Sequence, residues 1–469
     1  MSLMMTLRTQ YLLVVFFLLF AFYVVGSSYV GINGTHDGRQ ADVYAQILGF
    51  YGYKDYPPLE DFRGHIAIYD IPIYAFVVAK LALITGSEPL VAAKCFNLGW
   101  FLLLLWGGCS IAEGFKSGAG VYLVFLLCTS PVFLHYFSAP MPDDMALALA
   151  VAASAILLKA EQTRATLVGS ALLFLAALIK SPIPFVFVVF FAVQSLLNRD
   201  GHRNAYANAK MLIPLVVALA GALLAEKIRK YVLETDVGGF AQDPTWYFGT
   251  IHQRLSLDFW LKIPKRFVKS NPLVVVLAFP AAYYCLRTAP REYAALGVAF
   301  LTGWLVFANV YLIHDYYEMP VDVVAYVLLA IGAQTTYAAF VDVRWAESVL
   351  LVRNIGLAVI ALLCIIYMPK QSSLSTVSIY DSMTFALRDE RKFLWVNDDH
   401  YSAPEIGGRV GTQFEQMSHA AIEKSCASVV AAHRAILVRG HSDCLTSYKA
   451  SASTYIEDGG FQFYLRKDR

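Results

Sequence analysis

The sequence predicts a mostly α-helical, polytopic membrane protein of about 11 transmembrane helices, followed by a small α+β domain. Three observations carry this. Of 469 residues, 58% are apolar and 15% charged, against roughly 45–50% and about 25% in soluble globular chains, and the mean hydropathy is +0.54. Long apolar segments recur through residues 1–369, and residues 370–469 turn polar. A net charge of +2 without a basic tail excludes a nucleic-acid partner.

The first segment, 11–30, is long for a signal-peptide core and many others follow it, so it reads as an uncleaved span. Further segments lie at 71–86, 95–112, 118–137, 145–159, 166–179, 182–197, 211–225, 272–286, 294–313, 319–340 and 350–368, twelve in all. The segment 71–86 is the weakest candidate, being short, with Pro72 near its start and Lys80 inside. An amphipathic helix in the interface suits it better than a span. With eleven spans, the polar clusters around Asp42, Asp143, the 226–270 loop, His314 and the tail all share one side of the membrane. Counting Lys and Arg does not fix which side, because the 226–270 loop is itself rich in both. That excess suits an anionic ligand at the membrane surface or lipid head groups.

Residues 370–469 hold β-like runs such as RAILVRG and a helical stretch, EQMSHAAIEKSCASVVAAHRA. Five of seven cysteines fall in apolar runs, where Cys acts as a small hydrophobe. Cys426 and Cys444 are alone in the polar part, and a disulfide is expected if that part is outside the cytoplasm. Two buried thiols are the alternative.

The polar clusters are HDGRQAD (36–42), YDIP ending the same loop, PDD at 142–144, IKSP around Lys180, the loop containing GTIHQRL, and HDYYEMP (314–320). Each alone suits a loop or a helix start, and Asp144 could simply cap the helix that follows. Together, carboxylates, cations and aromatic rings at one interface suit a ligand with a sugar, an anionic phosphate and a lipid tail. Residues 42–50, with Val43, Ile47 and Phe50 at helical spacing, read as a short interfacial helix with Asp42 in its first turn.

In order and spacing these motifs resemble the GT-C superfamily of polyprenyl-phosphate-dependent glycosyltransferases, in the branch of the protein O-mannosyltransferases and the lipid A aminoarabinose transferase. The resemblance implies a GT-C fold in the inner (plasma) membrane, with active site and C-terminal domain on the extracytoplasmic side. It implies an inverting transfer of a monosaccharide from a polyprenyl-phosphate donor to an acceptor hydroxyl of a glycolipid, polysaccharide or protein. Asp42 occupies the position of the general base, with Asp37 as the alternative, and Asp143 supports the base or binds acceptor. Lys180, His314, Arg39 and Tyr317 are the candidates for holding the donor phosphate. A divalent metal, held by Asp70 and His252, would be the only cofactor. Where the aminoarabinose transferase has a Lys after the acid that precedes the Pro, this chain has Ile71, which argues against the same donor. A transporter of lipid-linked sugars is the competing class. It would place charge at mid-bilayer and show inverted repeats, and neither is visible.

Overall fold

A computed structural model describes residues 14–24, 37–53, 59, 70–159, 163–197, 205–231, 244–288, 291–340, 392–396, 413–433, 435–439, 442–446, 452–458 and 461–466. Helices α1 (Val14–Val24), α2 (Asp37–Tyr51), α3 (Ile73–Thr85) and α4 (Pro89–Phe115) open the chain. Then come α5 (Gly120–Thr129), α6 (Pro131–Phe137), α7 (Pro142–Leu158), α8 (Thr163–Ile179), α9 (Ile183–Leu197) and α10 (Ala205–Tyr231). Short helices α11 (Pro244–Phe248) and α12 (Ile251–Leu255) precede α13 (Leu257–Ser270). The last part holds α14 (Val274–Thr288), α15 (Arg291–Val306), α16 (Ala308–Ile313), a 3-10 turn (Asp315–Glu318) and α17 (Met319–Phe340).

Helix α7 is the axis of the bundle. Fifteen of its seventeen residues are buried, and α4, α8 and α9 pack around it. It is apolar on every side, as a helix enclosed by others must be. Gly107 lets α4 approach closely, since a Cβ there would fall 2.9 Å from the Ala152 backbone nitrogen. On the outside, α10 turns Leu212, Val216, Leu219 and Leu223 outward, which lipid tolerates and water does not.

Among the described residues, Pro89–Phe115 and Asp315–Ala338 are long and apolar enough to cross a membrane alone. The expected span 118–137 is instead two helices bent by 67° at Ser130. Pro131 is the cause: it cannot donate to the helix ladder and pushes Ser130 into an extended conformation. The bend turns His135 and Tyr136 toward the 3-10 turn, where Tyr136 hydrogen-bonds Asp315. Segment 294–313 is likewise split, at Phe307.

Helix α3 ends at Gly86 in the left-handed region (φ 64°). Glu88 then caps α4, accepting from the backbone nitrogens of Leu90 and Val91 at 2.9 Å each. Both flanks of α3 are tied to α2, Asp70 through Arg39 and Glu88 through the Tyr44 hydroxyl at 3.0 Å. The candidate span 350–368 and the boundary at 369/370 lie outside the described residues.

In the C-terminal part, strands β1 (Lys392–Val396), β2 (Gln413–Met417), β3 (Ala435–Arg439), β4 (Ala452–Asp458) and β5 (Phe461–Arg466) form one sheet in the order β2-β1-β3-β5-β4. The first three strands are parallel, and the last two join antiparallel. Leu394, Val396, Ile436, Val438, Ile422 and Tyr464 build a separate small core. Cys426 and Cys444 are joined as a disulfide, with Cα atoms 5.8 Å apart.

Candidate active site

Four of the polar clusters meet around one carboxylate. Asp70, just before α3, accepts at Oδ2 from both the Arg39 guanidinium and Lys180 Nζ, the latter at 2.9 Å. Lys180 sits in the turn between α8 and α9, with its amine also 3.9 Å from Asp143 at the start of α7. Lys180 and Asp143 are buried, and Arg39 and Asp70 nearly so. Burial works against the Asp70 charge, but Lys180 and Arg39 outweigh it and hold the carboxyl below the usual carboxylate range. Burial likewise disfavours the Lys180 charge, and Asp143 and Asp70 reverse this and raise its affinity for the proton.

Aromatic rings line the site. Lys180 Nζ stands 4.9 Å from the Tyr317 ring centroid, a cation–π contact. Tyr247 of α11, from the basic loop, is near enough to Lys180, Asp70 and Tyr317 to interact with them electrostatically, which brings the remaining cluster into the same place. Burial pushes the Tyr247 hydroxyl up, so it stays protonated. His314 lies 5.4 Å from Trp246 and 6.1 Å from Tyr317, ring to ring.

Several expectations change. Helix α2 begins at Asp37, so Asp42 lies in its second turn, not its first. Val43 and Ile47 are buried in the helical core, and Phe50 packs edge-on against Phe76. Asp42 itself is buried, on the same helix and three residues on from Arg39, a spacing that puts both on one face. The Asp37 side chain lies outside the described residues. Asp144 does not cap α7, whose cap residue is Met141 without a side-chain bond. It is fully buried.

The two expected metal ligands, Asp70 and His252, stand in unlike surroundings. Asp70 Oδ2 is held by two side-chain cations, whose charges would oppose a dication there, and His252 is exposed on α12. Among the described residues no three His, Cys, Asp or Glu side chains gather as metal ligands do. In this arrangement the two residues do not make a metal centre.

Three relationships escape a reading of motifs. Tyr136 bonds Asp315, Arg266 bonds Glu318 and the Leu312 carbonyl, and Gln40 bonds His135 at 3.3 Å. The available signal is a pair of polar residues, His135-Tyr136, at the end of an apolar run. Some cations of the basic loop are held within the protein: Arg254 ties the loop to the carbonyls of Phe248 and Val306, and Lys262 pairs with Asp258.

No family model matches the chain, and no curated protein sequence does. Solved structures do. The chain is similar to ArnT from Cupriavidus metallidurans bound to undecaprenyl phosphate, at 14% identity and TM-score 0.61, with 98% of this chain and 97% of that one covered. It is similar to the oligosaccharyltransferase AglB from Archaeoglobus fulgidus in complex with an inhibitory peptide and a dolichol-phosphate, at 12% identity and TM-score 0.54, covering 98% and 74%. An Archaeoglobus fulgidus oligosaccharyltransferase complex with Zn and sulfate matches at 13% identity and TM-score 0.51, covering 91% and 68%. The likeness is one of fold, and it runs the length of the chain: this protein has the fold of the GT-C glycosyltransferases, the superfamily its loop motifs resemble.

Proposed function

We propose that the protein is an integral-membrane inverting glycosyltransferase that moves a monosaccharide from a polyprenyl-phosphate donor to an acceptor hydroxyl. The observation that carries this is the convergence of Arg39 and Lys180 on Asp70, beside Asp143 and under Tyr317, next to helices whose outer faces are apolar. A phosphate on a lipid tail needs two preplaced cations at the edge of a hydrocarbon surface. Structural neighbours bound to undecaprenyl phosphate and to a dolichol-phosphate support the reading.

The chemistry follows from the residues. An acceptor oxygen attacks the anomeric carbon from the face opposite the phosphate. Its proton passes to Asp42, since a hydroxyl is a poor nucleophile at neutral pH. The bond from the anomeric carbon to the phosphate oxygen breaks, and the electron pair leaves with the polyprenyl phosphate. Lys180 and Arg39 meet the growing charge on that oxygen. Because Asp70 and Asp143 already hold them in place, little reorganisation is needed as the charge develops. Tyr317 fixes the Lys180 amine from above, and His314 with Trp246 offers a flat surface for the sugar.

The tethering of both flanks of α3 to α2 supports an interfacial α3; with eleven spans the site and the C-terminal domain then share one side, which we read as extracytoplasmic. The disulfide agrees with an oxidising compartment. A strain lacking the protein should accumulate a lipid-linked sugar, read by mass spectrometry of extracted lipids. An unchanged lipid profile would overturn the reading.

A further inference from the structure

Beside the Asp70 cluster lies a second polar recess, lined by none of the residues assigned to the donor. It is a small, partly open cleft with a cavity volume of about 40 Å³. Helix α6 contributes His135 and Tyr136, the 3-10 turn Asp315 and Glu318, and α13 Arg266 and Lys269.

The charges in it are not equivalent. Arg266 is committed to buried Glu318 and to the Leu312 carbonyl, so this pair is neutral within itself. Asp315 accepts from Tyr136. Lys269 is exposed, and among the described residues it meets no carboxylate. The cleft is therefore lined by carboxylate, phenol and imidazole, the groups that bind hydroxyls, and by an exposed cation, Lys269. It also adjoins the reacting groups. His135 is hydrogen-bonded to Gln40, two residues before Asp42. The Tyr136 ring lies 5.6 Å from Tyr316, whose neighbour Tyr317 covers Lys180.

We propose that this cleft is the acceptor site, and that it takes a sugar carrying an anionic group, its hydroxyls toward Asp315 and its phosphate or carboxylate on Lys269. The assignment as acceptor rests on the glycosyltransferase reading; the preference for an anionic sugar does not. Keeping the acceptor's anion on Lys269 also leaves Lys180 and Arg39 to the donor phosphate. The two phosphate-sized anions of donor and acceptor would thus be sorted by place.

The test uses the full chain in lipid nanodiscs, with methyl glucoside 6-phosphate, methyl glucoside and inorganic phosphate as probes in a direct binding assay. The sugar phosphate should bind about tenfold or more tightly than the neutral glycoside, as one charge-assisted hydrogen bond would give. In Lys269→Gln the two should bind within about twofold of each other, while undecaprenyl phosphate binding stays unchanged. Asp315→Asn should weaken both sugars and leave inorganic phosphate alone. A tenfold preference that survives Lys269→Gln overturns the proposal, and so does inorganic phosphate binding as tightly as the sugar phosphate. The same head group on an octyl chain separates the sources: tighter binding than the methyl form marks a membrane-borne glycolipid, and equal binding a soluble glycan. If undecaprenyl phosphate fails to bind the wild type while the anionic preference stands, the donor reading falls and the cleft does not.

Discussion

Lys180 Nζ lies 2.9 Å from Asp70 Oδ2 across 110 residues of sequence, with Asp143 3.9 Å from the same amine. Removing the amine strands buried Asp143 and leaves Asp70 to Arg39 alone. Lys180→Met is therefore expected to lose about 3–5 kcal/mol of stability, the usual cost of breaking a buried pair from one side. Adding Asp143→Asn should recover part of that loss, since the stranded charge goes with it. Thermal unfolding of both variants in nanodiscs measures the coupling; additive losses would mean the pair contributes nothing.

Arg39 is part of the same network rather than a surface residue reserved for donor. Arg39→Ala should lower thermal stability and donor affinity together. A variant that loses donor affinity at unchanged stability would show that Asp70 needs only Lys180.

Asp42→Asn keeps the shape and loses the proton acceptor. The rate should fall by about 10²–10⁴, with folding and donor binding kept. Full turnover would move the role to Asp37 or Asp143.

Much of this site was legible in the sequence because each motif ends an apolar run, where a charge is expensive and so tends to have a purpose. HDGRQAD, YDIP, PDD, IKSP and HDYYEMP name Arg39, Asp70, Asp143, Lys180 and Tyr317, which do meet. What the motifs could not give was pairing. Tyr136 and Asp315 are 179 residues apart and Arg266 and Glu318 are 52 apart, and no local pattern couples such positions. The bend at Ser130 was readable, since Pro131 stands inside an apolar segment, but hydropathy alone merges the two helices. The start of α2 was misplaced by five residues because the apolar spacing begins at Val43, while the helix itself begins at Asp37.

The topology has a direct check. Tyr53→Cys, just past α2, and Ser87→Cys, just past α3, should label with an impermeant maleimide from the same side of the membrane. If 71–86 crosses, the two label from opposite sides.

For the disulfide, unfolded and unreduced protein should show five reactive thiols of its seven cysteines. Replacing Cys426 and Cys444 with Ser should destabilise the C-terminal part by about 3 kcal/mol in the chain-entropy model. Seven reactive thiols would mean no bridge.

The central claim is that two preplaced cations at the Asp70 cluster hold a lipid phosphate. Native mass spectrometry of the folded protein with undecaprenyl phosphate, and with undecaprenol as the control, tests it most directly. The phosphate should bind at least about tenfold more tightly than the alcohol, as a charge-assisted contact requires, and Lys180→Gln should erase the difference. Equal binding of phosphate and alcohol by the wild type, or a preference untouched by Lys180→Gln, would contradict it.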